Sequence, residues 1–489
     1  MNPRSSLPEA AMHSITIENF RCFGEKQTAR LAPLTLLVGE NSTGKTSFLA
    51  LLRALDDLAH GSIPDFKKPP YDLGSFDEIA HYRGGRGGRA ETFSAEIAFP
   101  STRAGRKAER RLAVRFSKDR GGTAPIPIYL RISLANKSKK EDTWVALNYE
   151  SSSIEVSTKR GRWNLSEHYN SHHRLTPSSQ LQRQSMHLLA WSALGGFGVE
   201  KDSRFTDMYK PEGGSPDVTA QDMQDLSPLT AEIIETSSGN REPTSLFASA
   251  PVRSQPHRTY NPARLAFDSE GEYVPMFLAE LSSKQPKVWA SLKQGLENFG
   301  RSSGLFDEIK IRNFGKISGN PFQMQVRKSG KKQVKGPWRN LVDVGYGVSQ
   351  ALPIITELLR EDTEQRSSKK SHPRQFLLQQ PEVHLHPSAQ AALGSLFCQV
   401  AGPRRQLIVE THSDNLMDRV CMDVRDGVSG LKPEDVSILF FERRGLDVRI
   451  HSLRLDEEGD VLGAPDGYRQ FFLDETDRLM WPGRPTGEA

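Results

Sequence analysis

The densest chemistry in the sequence lies between Gly39 and Thr46, where the chain reads Gly-Glu-Asn-Ser-Thr-Gly-Lys-Thr. Two glycines framing four residues let backbone N–H groups close around phosphates, and the lysine after the second glycine reaches the outer ones. On this pattern Gly39, Asn41, Ser42, Thr43, Gly44, Lys45, Thr46 and Ser47 form the phosphate-binding set for ATP, with the Thr46 hydroxyl a ligand for Mg²⁺. A second candidate, His384-Leu385-His386, has the spacing of a metal pair but no evident third ligand.

The elements that would position the loop stand on either side of it. Leu34–Val38 (LTLLV) is a short apolar run bounded by turn formers, and Thr46–Leu55 (TSFLALLRAL) carries apolar residues at helical spacing. Strand, glycine-rich loop and helix thus come in the order that phosphate cradling requires, with the helix N-terminus adding its dipole. Upstream, Ile15–Phe23 (ITIENFRCF) alternates in residue type and reads as a strand. Between Ala90 and Val156 the runs ETFSAEIAF, RRLAVRF, IYLRISL and SSIEVS predict an antiparallel sheet. The stretch Val199–Arg258, rich in Ser, Pro, Gly and acids, predicts irregular structure. Helical spacing returns over Pro275–Phe299, and strands are expected at Glu308–Asn313 and Phe322–Arg327. The last third is again α/β, with helices over Ser349–Leu359 and Ser388–Val400 and strands at Phe376–Leu378, Gln406–Val409, Ser437–Phe441 and Asp447–Ser452. No heptads are sustained, which argues against a long coiled-coil arm.

Bulk properties narrow the class. The 489 residues exceed one compact core, while chemically similar segments near both ends favour one large domain interrupted by an insertion. No apolar run approaches the roughly 18 residues of a membrane helix, and the first residues lack the apolar stretch of a secretory signal, so a cytoplasmic protein without membrane contact is expected. Cys22, Cys398 and Cys421 are too few and too scattered for a disulfide framework or a zinc site. The net charge of +5 is mild, but basic residues cluster at Arg103–Arg111, Lys137–Lys140 and Arg327–Lys335, candidate contacts for DNA or RNA that are also what solvated loop tips look like.

In order along the chain, ITIENFRCF, LTLLVGENSTGKTSFL, VGYGVSQALPII, FLLQQPEVHLHP and LIVETHSDNL resemble the AAA-like ABC ATPases related to SMC, RecF and OLD proteins. The resemblance covers Ile15–Leu55 and Leu341–Leu416, and the middle matches loosely. It implies a head that binds ATP between two protomers, one giving the phosphate loop and the other a signature loop. By position the signature loop is Gly345-Tyr346-Gly347-Val348-Ser349-Gln350, with Gly345, Gly347 and Ser349 facing a neighbour's nucleotide; the family commonly has a serine where Gly345 stands. Gln379 and Gln380 fall at the Walker B position, where the family usually has two acids, one holding Mg²⁺ through water and one polarising the attacking water. A glutamine orients water but cannot take its proton, which puts hydrolysis rather than binding in question and leaves Glu382 as a substitute base two residues on. His384-Leu385-His386-Pro387 resembles the dimer-contact loop, and His412 matches the switch histidine that touches the γ-phosphate.

The resemblance implies an α/β P-loop NTPase of ABC/SMC-head type with an antiparallel β subdomain and an irregular or helical insertion. The expected divisions are a tail over 1–13, the N-terminal part of the head over 14–160, an insertion over 161–305, the C-terminal part of the head over 306–430, and terminal strands with a helix over 431–489. The expected function is an ATP-gated dimeric switch serving a nucleic-acid-processing or anti-phage defence complex. It would act as a homodimer or higher homo-oligomer with a separate effector chain, such as a nuclease. A hydrolysing repair ATPase and a non-hydrolysing scaffold are the alternatives. Glu442, Asp456 and Asp460 faintly echo a nuclease centre, but the segment after His412 is too short for a further domain and they read as surface acids.

Overall fold

The computed structural model describes residues 12–59, 64–100, 108–119, 121–136, 143–149, 153–158, 161–164, 229, 245–261, 268–315, 320–330, 334–364, 374–465, 467–469 and 480. The chain begins with β1 (Ser14–Glu18), β2 (Gln27–Arg30), β3 (Leu34–Gly39), α1 (Lys45–Ala59) and the single turn α2 (Phe76–Ile79). Next come β4 (Thr92–Pro100), β5 (Ala108–Lys118), β6 (Pro125–Asn136), β7 (Thr143–Asn148), β8 (Ser153–Ser157), β9 (Arg162–Asn164) and β10 (Ser245–Ser249). Then follow α3 (Val274–Lys284), α4 (Pro286–Ser303), β11 (Glu308–Asn313), β12 (Phe322–Arg327), β13 (Arg339–Asn340) and α5 (Tyr346–Glu364). The last third holds β14 (Arg374–Gln379), α6 (Pro387–Val400), β15 (Arg405–Glu410), α7 (Asp414–Arg425), β16 (Val436–Arg444), β17 (Asp447–Leu455) and β18 (Val461–Leu462).

The central sheet runs β10-β14-β15-β3-β16-β17-β18, its first five strands parallel and the last two antiparallel. One strand, β15, separates β3, which leads into the glycine-rich loop, from β14. Parallel strands covered on both faces read as unbroken apolar runs, and every residue of β14 and β15 is buried. Side chains alternate between two cores: Leu37, Leu377, Ile408 and Leu439 pack with α1 and the antiparallel sheet, whereas Leu36, Leu378, Leu407 and Ile438 pack with α4, α5, α6 and α7. The second sheet is antiparallel, in the order β2-β1-β4-β5-β6-β7-β8-β9, and β11-β12-β13 form a third. The fold is therefore α/β with an antiparallel subdomain, as the sequence implies.

Three expectations change. The strand read over Ile15–Phe23 stops at Glu18, because Asn19 (φ 56°) and Arg21 (φ 49°) turn left-handed and send both Phe20 and Phe23 into the core, their rings stacked at 6.5 Å. The helical stretch from Pro275 is two helices, broken where Pro286 starts a new first turn. Finally, Ser245–Ser249 lies inside the stretch expected to be an irregular insertion, yet it is the strand beside β14. The sheet also takes in β16, from the expected terminal segment, as the other neighbour of β3.

A buried ionic cluster fastens α5 to the base of β14. Glu357 is fully buried and accepts from Arg374 Nη2 at 2.8 Å, from Arg360 Nη1 at 3.0 Å, and from the Tyr273 hydroxyl.

Candidate functional site

At the C-terminal ends of β3, β14 and β15 the chain leaves a cleft of about 720 Å³. Its floor is the glycine-rich loop. Gly39 (φ 137°), Ser42 (φ 60°) and Gly44 (φ 84°) all lie in the left-handed half of backbone space, the alternation that turns successive N–H groups toward one point. Gly39 is irreplaceable for a second reason: a Cβ there would sit 2.5 Å from the Phe441 carbonyl oxygen of β16. Lys45 begins α1, its ammonium donating to the Gly39 carbonyl at 3.0 Å and also reaching Glu40 O, and Thr43 Oγ1 closes the loop onto Glu40 O at 2.8 Å. Burial pulls the Lys45 pKa down, opposed by the charges of Glu410 and Glu40. Asn41 and Ser42 are exposed at the rim, while Ser47 is buried one residue past Thr46.

Thr46 lies between two neighbouring strand ends. Its hydroxyl donates to Glu410 at 2.9 Å (Oε2) and 3.2 Å (Oε1), and accepts from Gln379 Nε2 at 2.9 Å. Burial raises the Glu410 pKa, against the Thr46 hydrogen bond and the Lys45 charge. Gln380 follows with φ 42°, its N–H bonded to Glu410 O at 2.9 Å, and its side chain lines the cleft. A hydroxyl, a carboxylate and an amide that can turn its oxygen inward are the donors a hard divalent cation accepts, so the residues fit Mg²⁺.

Glu382 does not line this cleft but the adjoining one of about 600 Å³, with Gln380 and His412 shared between the two. Its Oε1 accepts the backbone N–H of His412 at 2.7 Å, and burial raises its pKa. The His412 ring is exposed at the mouth, with its pKa lowered by partial burial and then by Lys45. Gly345, Gly347 and Ser349 lie outside the phosphate cleft altogether. Gly345 is exposed with open space around it, Gly347 backs onto the His384 carbonyl, and Ser349 is buried with its hydroxyl donated to Tyr346 O at 2.9 Å. The exposed Tyr346 ring meets the His384 ring edge-on at 5.3 Å, so the turn at Gly345–Ser349 and the one at His384–Pro387 form one surface. His386 caps α6 through Nδ1 to Ser388 N–H, and among the described residues no group of three His, Cys, Asp or Glu side chains gathers at metal-holding distance.

Two residues of this region escaped the sequence reading. Glu410 carried a faint signal, an acid ending an apolar strand just before a Thr-His-Ser turn. Arg253, just after β10, carried none. It is buried and donates to the Gln379 and Gln380 carbonyls at 3.4 and 3.2 Å. Burial lowers its pKa to about 10, partly offset by Glu382. Of the basic clusters, Arg103–Lys107 and Lys137–Lys140 fall outside the described residues, and Arg327 pairs with Glu308 and stacks on Trp338 at 4.3 Å. Glu442 is engaged by His451 and Arg444.

Residues 12–96 match the sequence family described as "AAA ATPase domain", and residues 238–418 the one described as "AAA domain, putative AbiEii toxin, Type IV TA system". The first match contains the glycine-rich loop, the second β10, α5, β14, β15 and the start of α7. Two stretches of the chain, one holding the glycine-rich loop and the other the strands beside it, are thus similar to AAA-type ATPase domains. Among solved structures the chain is similar to an SMC head bound to the C-terminal winged-helix domain of ScpA, at 10% identity and TM-score 0.41, with 91% of this chain and 98% of that one covered. It is also similar to the SMC head with extended coiled coil bound to the C-terminal domain of ScpA derived from Pyrococcus furiosus, at 12% identity, TM-score 0.39, and 91% and 96% coverage. The SMC head domain from Thermotoga maritima aligns at 10% identity, TM-score 0.35, and 90% and 98% coverage. No curated protein matches the chain. No helix among the described residues is long and apolar enough to cross a membrane.

Proposed function

We propose that the chain is an ATP-gated switch that works as a pair. Mg-ATP sits in the cleft over Gly39–Ser47, and the Gly345–Ser349 loop of a second copy closes over the triphosphate. The observation that carries this reading is the division of the site. One chain presents a complete phosphate cradle, with Lys45 and Thr46 in place, while Gly345 faces open space outside the cleft beside the exposed Tyr346. Glycine lets backbone approach a neighbour's phosphate closely, and the N-terminus of α5 behind it favours negative charge. Hydrolysis is slow or partner-dependent, because neither glutamine at the end of β14 accepts a proton and Glu382 lies outside the phosphate cleft, buried with its Oε1 on His412 N–H. The family description naming a toxin of a toxin–antitoxin system supports a role in defence, with the paired state read by a separate effector.

The test is the mass of the pure protein by light scattering with and without a non-hydrolysable ATP analogue. Dimer is expected only with the analogue, and Lys45→Ala should remain monomeric. A mass indifferent to nucleotide would remove the switch.

A further inference from the structure

We propose that Glu410 is the carboxylate that holds the divalent cation of this site, in place of the acid that β14 lacks. The inference rests on the nucleotide reading above and adds a residue to it. Magnesium is held by one or two protein carboxylates together with substrate phosphates, and neutral amides are weak substitutes for a charged oxygen. Among the described residues two carboxylates line the phosphate cleft, Glu78 and Glu410. Glu78 is spent on its own turn, its Oε2 accepting the Ser75 N–H at 2.6 Å and the Ser75 hydroxyl at 2.8 Å. Glu410 touches the Thr46 hydroxyl with both oxygens.

Backbone register explains how an acid can move from one strand to the next. Gln379 and Glu410 are paired partners at the C-terminal ends of the parallel strands β14 and β15, so their side chains leave the sheet on the same face. The shift carries the carboxylate about 4.8 Å, one strand spacing, toward β3 and its loop. The same geometry accounts for Gln379. Thr46 has one hydroxyl proton, which goes to Glu410, so its second neighbour must be a donor, and the Gln379 amide is one. An acid at 379 would set two buried carboxylates against a single proton. The glutamine is thus the complement of Glu410 and not a defect of the strand.

Manganese replaces magnesium as the probe, and its binding to the full chain with adenylyl imidodiphosphate is read from the free-ion electron paramagnetic resonance signal. Analogue binding in EDTA is measured separately by calorimetry. Wild type should bind the analogue in EDTA, which tests the nucleotide reading alone, and should take up one Mn²⁺ per site. Glu410→Gln should keep binding in EDTA and weaken Mn²⁺ by at least the roughly 10–100-fold that loss of a ligand's supporting partner costs. The exchange Gln379→Glu with Glu410→Gln keeps the carboxylate count, remains readable if the single variant is unstable, and should recover most of the Mn²⁺ affinity. Wild-type Mn²⁺ affinity in Glu410→Gln, or no recovery in the exchange, overturns the assignment while leaving the nucleotide site standing. Absence of analogue binding in the folded wild type overturns both.

Discussion

If the end of β14 lacks a base, supplying one there should start the hydrolysis that the rest of the site is built for. The perturbation is Gln380→Glu. Gln380 lines both the phosphate cleft and the adjoining one, and its φ of 42° takes the chain out of the strand direction there. A glutamate is the same size, and the Lys45 ammonium lining the same cleft favours its charged form. General-base help is worth about 10²–10⁴-fold in rate. The lower end applies here, because Glu410 adds a like charge to the same cleft and works against ionisation. Steady-state phosphate release should therefore rise about 10²-fold over wild type, close to 2.7 kcal/mol off the barrier. Glu382→Gln serves as the control. Glu382 accepts the His412 N–H at 2.7 Å and is buried, so its loss should loosen the turn at His412 more than remove a base, and should not bring a slow wild type down a further 10²-fold. Brisk wild-type turnover that collapses in Glu382→Gln, with no gain in Gln380→Glu, would refute the reasoning and make Glu382 the base.

Two further outcomes test the frame around the site. Glu357→Leu removes the carboxylate shared by Arg374, Arg360 and Tyr273, and should destabilise the protein by about 3–5 kcal/mol in urea unfolding, the cost of breaking a buried pair from one side; a change under about 1 kcal/mol would mean the cluster relaxes into solvent. Cys22 lines the phosphate cleft with its thiol pKa pushed up to about 11 by burial, so its iodoacetamide labelling, followed by peptide mass spectrometry, should be slow at pH 8 and rise about tenfold per pH unit until near that value; fast labelling at pH 8 would contradict the burial.

The parts of the molecule that a reader of the sequence can see are those whose signal is local. β3, β14 and β15 are short apolar runs between turn formers, and each lies within about two residues of where its pattern puts it. The glycine-rich loop is legible because its backbone needs are written as residue types. What stays hidden depends on distant partners. Ser245–Ser249 becomes a strand by pairing with β14, more than a hundred residues on, and nothing in SLFAS separates it from the polar segments around it. Phe20 and Phe23 are apolar enough to continue β1, and only the left-handed turn at Asn19 and Arg21 takes them elsewhere. Glu410 reads as a strand-end acid until the fold sets it beside a hydroxyl 364 positions earlier.

On the proposed function, these long-range contacts link the phosphate end of the cleft to the face a second copy would meet. The segment Gln379–His384 is gripped from several sides: Arg253 holds its first two carbonyls, Glu382 holds the switch turn through His412 N–H, and His384 meets the Tyr346 ring. A ligand shifts an equilibrium only by its difference in affinity between two states. A triphosphate reaching His412 and Gln380 bears on this segment from the cleft, while a partner chain bears on it through Tyr346 and His384. A site with no proton acceptor at Gln380 then prolongs the paired state, because closure ends only with loss or slow cleavage of the nucleotide. Restoring the base with Gln380→Glu should accordingly shorten the lifetime of the ATP-bound dimer by the same factor that it raises phosphate release, if cleavage is what opens the pair. The decay of scattering after excess ADP is added to the ATP-bound dimer measures that lifetime. Faster phosphate release with an unchanged dimer lifetime would separate hydrolysis from opening, and the switch would have to be reset by nucleotide exchange instead.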